Sequence, residues 1–174
     1  MYVNKVFLKF GQLLALVGLA LVGSSLHASE QQTADLQQIN AENLPQFVSQ
    51  ISSDYYQQLD TLLKYYELYQ QKRDPRGFNV WHLRGFSPAI TARQTDYQQL
   101  QATASAEIQA TVDKLVTVFN ELDTISTQLM VSFRENDPAA YQQAKTLITD
   151  NNALLANQLK AFKLDNEIRE INLP

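Results

Sequence analysis

Apolar residues recur every three or four positions along three long stretches of the chain, which is the spacing of an amphipathic α-helix. The stretches cover about 43–72, 88–134 and 138–170. No strand-like pattern extends beyond the few residues of 78–83. Because an amphipathic helix has to bury its apolar face against another element, the pattern predicts an all-α protein.

The starts of the three helices carry capping sequences. Asn43, with Gln46 three residues later, fits a capping box. The other two helices open with an N-cap residue followed by proline, as Ser87-Pro88 and Asp137-Pro138. The turn before the third helix is short, which favours antiparallel neighbours. We therefore predict an elongated antiparallel three-helix bundle with coiled-coil-like packing.

The middle of the second predicted helix, residues 101–111, offers mostly alanine and threonine to the core. Either a neighbouring helix approaches closely there or the helix breaks. Since no glycine or proline interrupts this stretch, we expect close approach and one continuous helix of about 70 Å.

The first 28 residues differ from the rest of the chain. Lys5 and Lys9 precede an apolar run over 13–22, and the small residue Ala28 closes the segment. This is the order of a secretory signal peptide. A permanent membrane anchor is the alternative, but the run is about half of the roughly 20 residues that a span requires.

The expected layout is a signal peptide at 1–28, a polar segment at 29–42 that extends the first helix or frays, and a helical bundle at 43–174. After signal removal we expect no transmembrane span and a periplasmic or secreted protein. The chain has no cysteine, so it has no lipoprotein attachment site and no disulfide. Hydrophobic packing must then carry its stability.

Charge is distributed unevenly once the signal peptide is set aside. Residues 30–174 carry 12 cations and 18 acids, a net charge of −6. Within them, residues 72–93 hold five cations and one acid, which leaves −10 for the remainder. The acidic balance and the predicted export argue against nucleic-acid binding. The basic segment instead indicates a protein or an anionic envelope component as the partner.

The same region contains a repeated tripeptide, Arg-Gly-Phe, at 76–78 and again at 84–86. Both glycines of residues 30–174 fall here between two prolines, which predicts an aromatic and basic loop at 73–87. Arginine offers forked donors to anions, and aromatic side chains offer rigid contact area. The candidate binding residues are Arg76, Phe78, Trp81, His82, Arg84 and Phe86.

Two interpretations of this loop remain open. It either presents its arginines and its tryptophan to a partner, or folds its apolar residues, Leu83 among them, over the end of the bundle as a plug. The two are partly compatible. His82, the only histidine outside the signal segment, is expected to be an ordinary polar loop residue.

No constellation for catalysis is visible. One histidine without cysteine does not fit a zinc, haem or copper site, and the acidic pairs lie on polar helical faces rather than around a pocket. We expect no catalytic residue, no metal and no cofactor. The sequence favours an exported, non-catalytic interaction module that binds through 73–87. The alternative is a bundle that carries a small apolar ligand between its helices, lined by tyrosines and by the small residues of 102–111.

Overall fold

A computed structural model describes residues 38–171, of which 82% are helical and none lies in a strand. This confirms the all-α class. The predicted signal peptide, 1–28, lies outside the described residues, as do 29–37 and 172–174. Within the described part of the chain, no helix combines the length and the apolar character needed to cross a membrane.

Residues 38–171 form five α-helices and two short turns of other helical types. The four longer α-helices pack together: α4 (Gln109–Glu135) contacts α5 (Pro138–Ala161) most extensively and also packs on α1 (Leu44–Lys72) and α3 (Ser87–Gln101). This arrangement has four packed helices where the sequence predicted three. The elements, in chain order, are α1 (Leu44–Lys72), α2 (Pro75–Trp81), a π-helical turn (His82–Phe86), α3 (Ser87–Gln101), α4 (Gln109–Glu135), α5 (Pro138–Ala161) and a 3₁₀ turn (Asp165–Glu167).

The fourth helix exists because the predicted continuous helix over 88–134 breaks at 102–108. The Ser105 amide donates to the Ile39 carbonyl at 3.1 Å, and the Ile39 amide donates to Thr103 Oγ1 at 3.3 Å. The Ile39 side chain is fully buried. These backbone bonds to a remote segment replace helical ones, so the expectation of close helix approach was wrong. Residues 38–42, part of the predicted polar segment, are non-helical and do not extend α1.

The start of α1 differs from the predicted capping box. Asn43 does precede the helix, with Pro45 in the first turn, but its side chain makes no bond to the helix amides. Asn43 Oδ1 accepts from the Asn40 amide at 2.8 Å, and Asn43 Nδ2 donates to the Gln38 carbonyl at 2.7 Å. The asparagine thus folds the preceding turn rather than capping the helix.

Three helices of residues 38–171 are followed, within two residues of their last, by a residue in the left-handed region, and none of these residues is glycine. After each one, the next amide donates five residues back, as Asp74 to Tyr69 illustrates, which satisfies carbonyls that the helix end would leave unpaired. The predicted third helix therefore stops at Ala161 and does not reach 170. The three residues are Arg73 (φ 52°), Asn136 (φ 54°) and Lys163 (φ 59°).

The predicted loop at 73–87 is helical from Pro75 onward and runs without interruption into α3. Asp74 caps it, because its Oδ1 accepts from the Gly77 amide at 2.8 Å. Ser87 is not an N-cap: its backbone is helical and its amide donates back to His82 across the π-helical turn. Pro88 has no amide hydrogen for an α-helical bond, and the π-helical turn ends two residues before it, at Phe86.

Candidate functional site

The segment 76–86 is organised by a repeat of four residues. Because residues four apart lie one above the other on a helix, the two Arg-Gly-Phe triplets form three parallel rows. We call these the outer row (Arg76, Val80, Arg84), the middle row (Gly77, Trp81, Gly85) and the inner row (Phe78, His82, Phe86).

All three residues of the inner row are buried. Phe78 meets the Tyr66 ring edge to face, with centroids 5.6 Å apart, and Phe78 also contacts Phe133 of α4. The centroid of the Phe86 ring lies 5.4 Å from the centroid of the Trp81 ring. The inner row therefore fills the interior as the plug interpretation expected, and its residues do not present themselves to a partner.

His82 is a core residue and not the ordinary loop residue expected from the sequence, since it is only 4% exposed. Its Nε2 lies 2.9 Å from Ser126 Oγ on α4. The Ser126 hydroxyl donates to the Asp123 carbonyl at 2.8 Å, so Nε2 is the donor of the His82 bond. Nδ1 is buried and has no hydrogen-bond partner among the described residues. Burial lowers the pKa of His82, and the nearby Asp123 carboxylate partly opposes this.

The middle row forms the floor of a surface groove. Trp81 is half-buried and stacks on Tyr65 of α1, with ring centroids 4.3 Å apart and an interplanar angle of 12°. A Cβ at Gly77 would overlap the Asp74 carboxylate and lie 2.6 Å from Tyr69 Cε1. A Cβ at Gly85 would meet nothing nearer than Trp81, at 3.8 Å. The first glycine therefore permits the cap of α2, and the second leaves open space beside the indole.

The outer row faces solvent. Arg76 and Arg84 are exposed at its two ends, and Val80 between them is 42% exposed. Leu83, which the plug interpretation placed inside, is 57% exposed on the adjoining position. Leu68 is the one other large apolar side chain that is exposed within 38–171. Aliphatic exposure is thus concentrated between the two arginines.

The outer and middle rows border a groove of about 620 Å³, to which Tyr69 and Asp74 also contribute. Of the six predicted binding residues, Arg76, Trp81 and Arg84 line this groove, whereas Phe78, His82 and Phe86 lie behind it. Five of the lining residues were not predicted from the sequence: Tyr69, Asp74, Gly77, Val80 and Gly85. Applying the helical period to the repeated triplet would have found Val80 and the two glycines, because that period separates the arginines from the phenylalanines. Tyr69 lies on α1, where the triplet gives no signal.

No family model matches this chain, and no curated protein or solved structure does. The chemistry of the groove therefore has to be assessed from its own residues. Within 38–171, no three acidic or histidine side chains are grouped so that they could hold a metal ion. The groove offers two guanidinium groups, an indole and aliphatic surface, a combination suited to binding an anionic partner that also has apolar surface.

Proposed function

We propose that this protein is an exported, non-catalytic helical module that binds a protein or an anionic component of the cell envelope through the outer and middle rows of 76–86. One observation carries the proposal: the exposed arginines and the exposed aliphatic residues lie together on one side of a helical segment whose other side is anchored in the core. Recognition residues are typically presented by a rigid scaffold in this way.

The anchoring favours binding because it pre-organises the surface. Trp81 is held by its stack on Tyr65, and the inner row fixes α2 against α1 and α4. A partner would not have to order this segment as it binds, which reduces the entropic cost of association. Charge supports the same surface, because residues 72–93 carry +4 within a sequence that is otherwise acidic.

The alternative, a small apolar ligand held between the helices, has less support. The residues expected to line that site, 102–111, include the non-helical turn at 102–108 that hydrogen-bonds to Ile39. They therefore do not form the helical wall that such a pocket requires. Tyr55 and Tyr66, two of the tyrosines assigned to it, are buried core residues.

The proposal is tested with the double variant Arg76→Ala/Arg84→Ala and a photo-crosslinking residue in place of Leu83. We expect the wild-type surface to capture a specific envelope component in intact cells and the double variant to lose that capture. Both arginines are exposed, so the melting temperature should change little. Lys114→Ala/Lys145→Ala removes two exposed cations from α4 and α5 and is the charge-matched control. Equal capture by both double variants, or unfolding of the arginine variant, would refute the proposal.

Export is part of the proposal and has its own test. The predicted signal peptide is expected to be cleaved after Ala28. Mass spectrometry of the protein recovered from the envelope or the medium should then give a chain that begins at Ser29. Recovery of a chain that retains residues 1–28 would contradict this part of the proposal and leave the binding surface unaffected.

A further inference from the structure

We infer that the partner is a protein and that the groove receives an acidic amphipathic α-helix. This inference rests on the proposed function and specifies the partner of that same surface.

The shape of the groove fits a helix. Helices pack by placing a ridge of side chains into the groove beside a row of residues four apart. In the middle row, the Asp74 carboxylate and Tyr69 fill the space beside Gly77, whereas a Cβ at Gly85 would meet nothing nearer than the indole, at 3.8 Å. The room for a partner's side chain therefore lies at the Gly85 end of Trp81. The π-helical turn His82–Phe86 keeps the rows aligned. A row of residues four apart drifts around an α-helix, and a π turn, which holds more residues, partly reverses that drift.

The spacing of the arginines also fits a helix. Arg76 and Arg84 are eight residues apart, on the order of 12 Å along the axis. Carboxylates seven or eight residues apart on a partner helix have nearly the same separation and would meet both guanidinium groups. Val80 and Leu83 lie between them and would cover apolar residues of the partner's intervening turns. Asp74 is the one acid of 72–93, and its carboxylate is held by the Gly77 amide.

The charge around the groove favours a protein over an anionic membrane. Outside 72–93, residues 30–174 carry a net −10, which a negatively charged lipid surface would repel. Interfacial helices also bury a broad apolar face with many cations beside it. This surface exposes only Val80, Leu83 and two arginines. A narrow partner that touches the groove alone meets Arg76 and Arg84 and avoids the acidic remainder.

A display library of 20-residue helical peptides with one face randomised tests the inference. The library is selected on the wild-type protein and counter-selected on Arg76→Ala/Arg84→Ala. We expect the retained peptides to carry two acidic residues seven or eight positions apart around apolar residues. Replacing both acids with amides, or both arginines with alanine, should weaken binding by about tenfold or more. Binding should weaken as salt is raised. Because Trp81 is the chain's single tryptophan, its fluorescence should change on binding.

Gly85→Ala separates groove shape from charge. It retains both arginines and places a methyl group beside Trp81, so it should weaken the peptides while the protein stays folded. Vesicles of phosphatidylglycerol, compared with phosphatidylcholine, provide the lipid test.

Three outcomes would each overturn the helix inference. The selected peptides lack the acidic pair, no selected peptide depends on the arginines, or the protein binds anionic vesicles in place of peptides. In those cases the proposed function still stands if cellular capture depends on Arg76 and Arg84. Loss of that dependence refutes the proposed function itself.

Discussion

The Tyr97 hydroxyl donates a 2.8 Å hydrogen bond to Asp54 Oδ2 and thereby connects α3 to α1. Arg93 Nε lies 4.0 Å from the same carboxylate oxygen. Burial raises the pKa of Asp54, and the Tyr97 bond and the Arg93 charge oppose that rise. The carboxylate thus depends on two residues of α3, the helix that continues from the candidate binding segment.

Removing the Tyr97 hydroxyl should destabilise the protein. In Tyr97→Phe the mostly buried Asp54 carboxylate loses a donor, and we expect the free energy of unfolding to fall by about 1–2 kcal/mol. Urea titration followed by circular dichroism measures the loss. A double-mutant cycle with Asp54→Ala should give a coupling energy of about 1 kcal/mol or more. Additive single effects would show that the bond contributes nothing to stability.

The buried imidazole of His82 should make stability depend on pH. Above about pH 6.5 the histidine is neutral in both states. As the pH falls below 6.5, the His82 side chain binds a proton in the unfolded chain but stays neutral in the folded protein, because burial lowers the pKa of His82. The free energy of unfolding should therefore decrease, by up to about 1.4 kcal/mol per pH unit, until the lowered pKa is reached.

His82→Gln is the control for this effect, since glutamine does not titrate. Urea unfolding between pH 7.5 and 5.0 should show a smaller decrease for this variant than for the wild type. If the two proteins lost stability in parallel, the pH dependence would have to come from other groups.

The two glycines of the binding segment should respond in opposite ways to alanine. In Gly77→Ala the new methyl group overlaps the Asp74 carboxylate and crowds Tyr69. The cap of α2 must then move, at a cost of about 1–3 kcal/mol. In Gly85→Ala the methyl group has room, and the helix should gain about 0.5–1 kcal/mol. Thermal melts of both variants test the pair. Equal effects would contradict the packing described here.

The left-handed backbone conformation of Arg73 is strained, and glycine at this position should relieve the strain. Arg73→Gly should stabilise the protein by up to about 1 kcal/mol, whereas Arg73→Ala, which keeps the strain, should not. Asn136→Gly should gain less, because asparagine tolerates this conformation better than arginine does. Denaturant midpoints of the three variants provide the comparison. A gain for Arg73→Ala equal to that for Arg73→Gly would show that charge, and not backbone strain, is responsible.

The three long helical stretches could be predicted from the sequence, but α2, the break at 102–108 and the helix end at Ala161 were not predicted. Glycine and proline are the usual markers of a break, and both glycines here lie within helical turns while arginine, asparagine and lysine occupy the left-handed ends. The Asp74-Pro75 pair, an N-cap residue followed by proline like Asp137-Pro138 at the start of α5, did indicate the start of α2. The presence of glycine and aromatic residues led to the prediction of a loop there instead.

The six candidate site residues, predicted to lie together on a loop, lie on two faces of a helical segment. Arg76, Trp81 and Arg84 do line one groove, whereas Phe78, His82 and Phe86 were grouped with them and lie in the core. A loop has no period, so a loop prediction cannot assign its residues to faces. Once the segment is known to be helical, the four-residue spacing separates the two sets.

The amphipathic spacing of apolar residues by itself determined that this protein is helical, because each such segment must bury one face whatever its neighbours are. Only the tertiary structure decided where the second long helix breaks. That break depends on hydrogen bonds that Ile39 donates to Thr103 and accepts from Ser105, residues more than sixty positions away along the chain. The local sequence does not indicate a hydrogen bond whose partner comes into contact only when the chain folds.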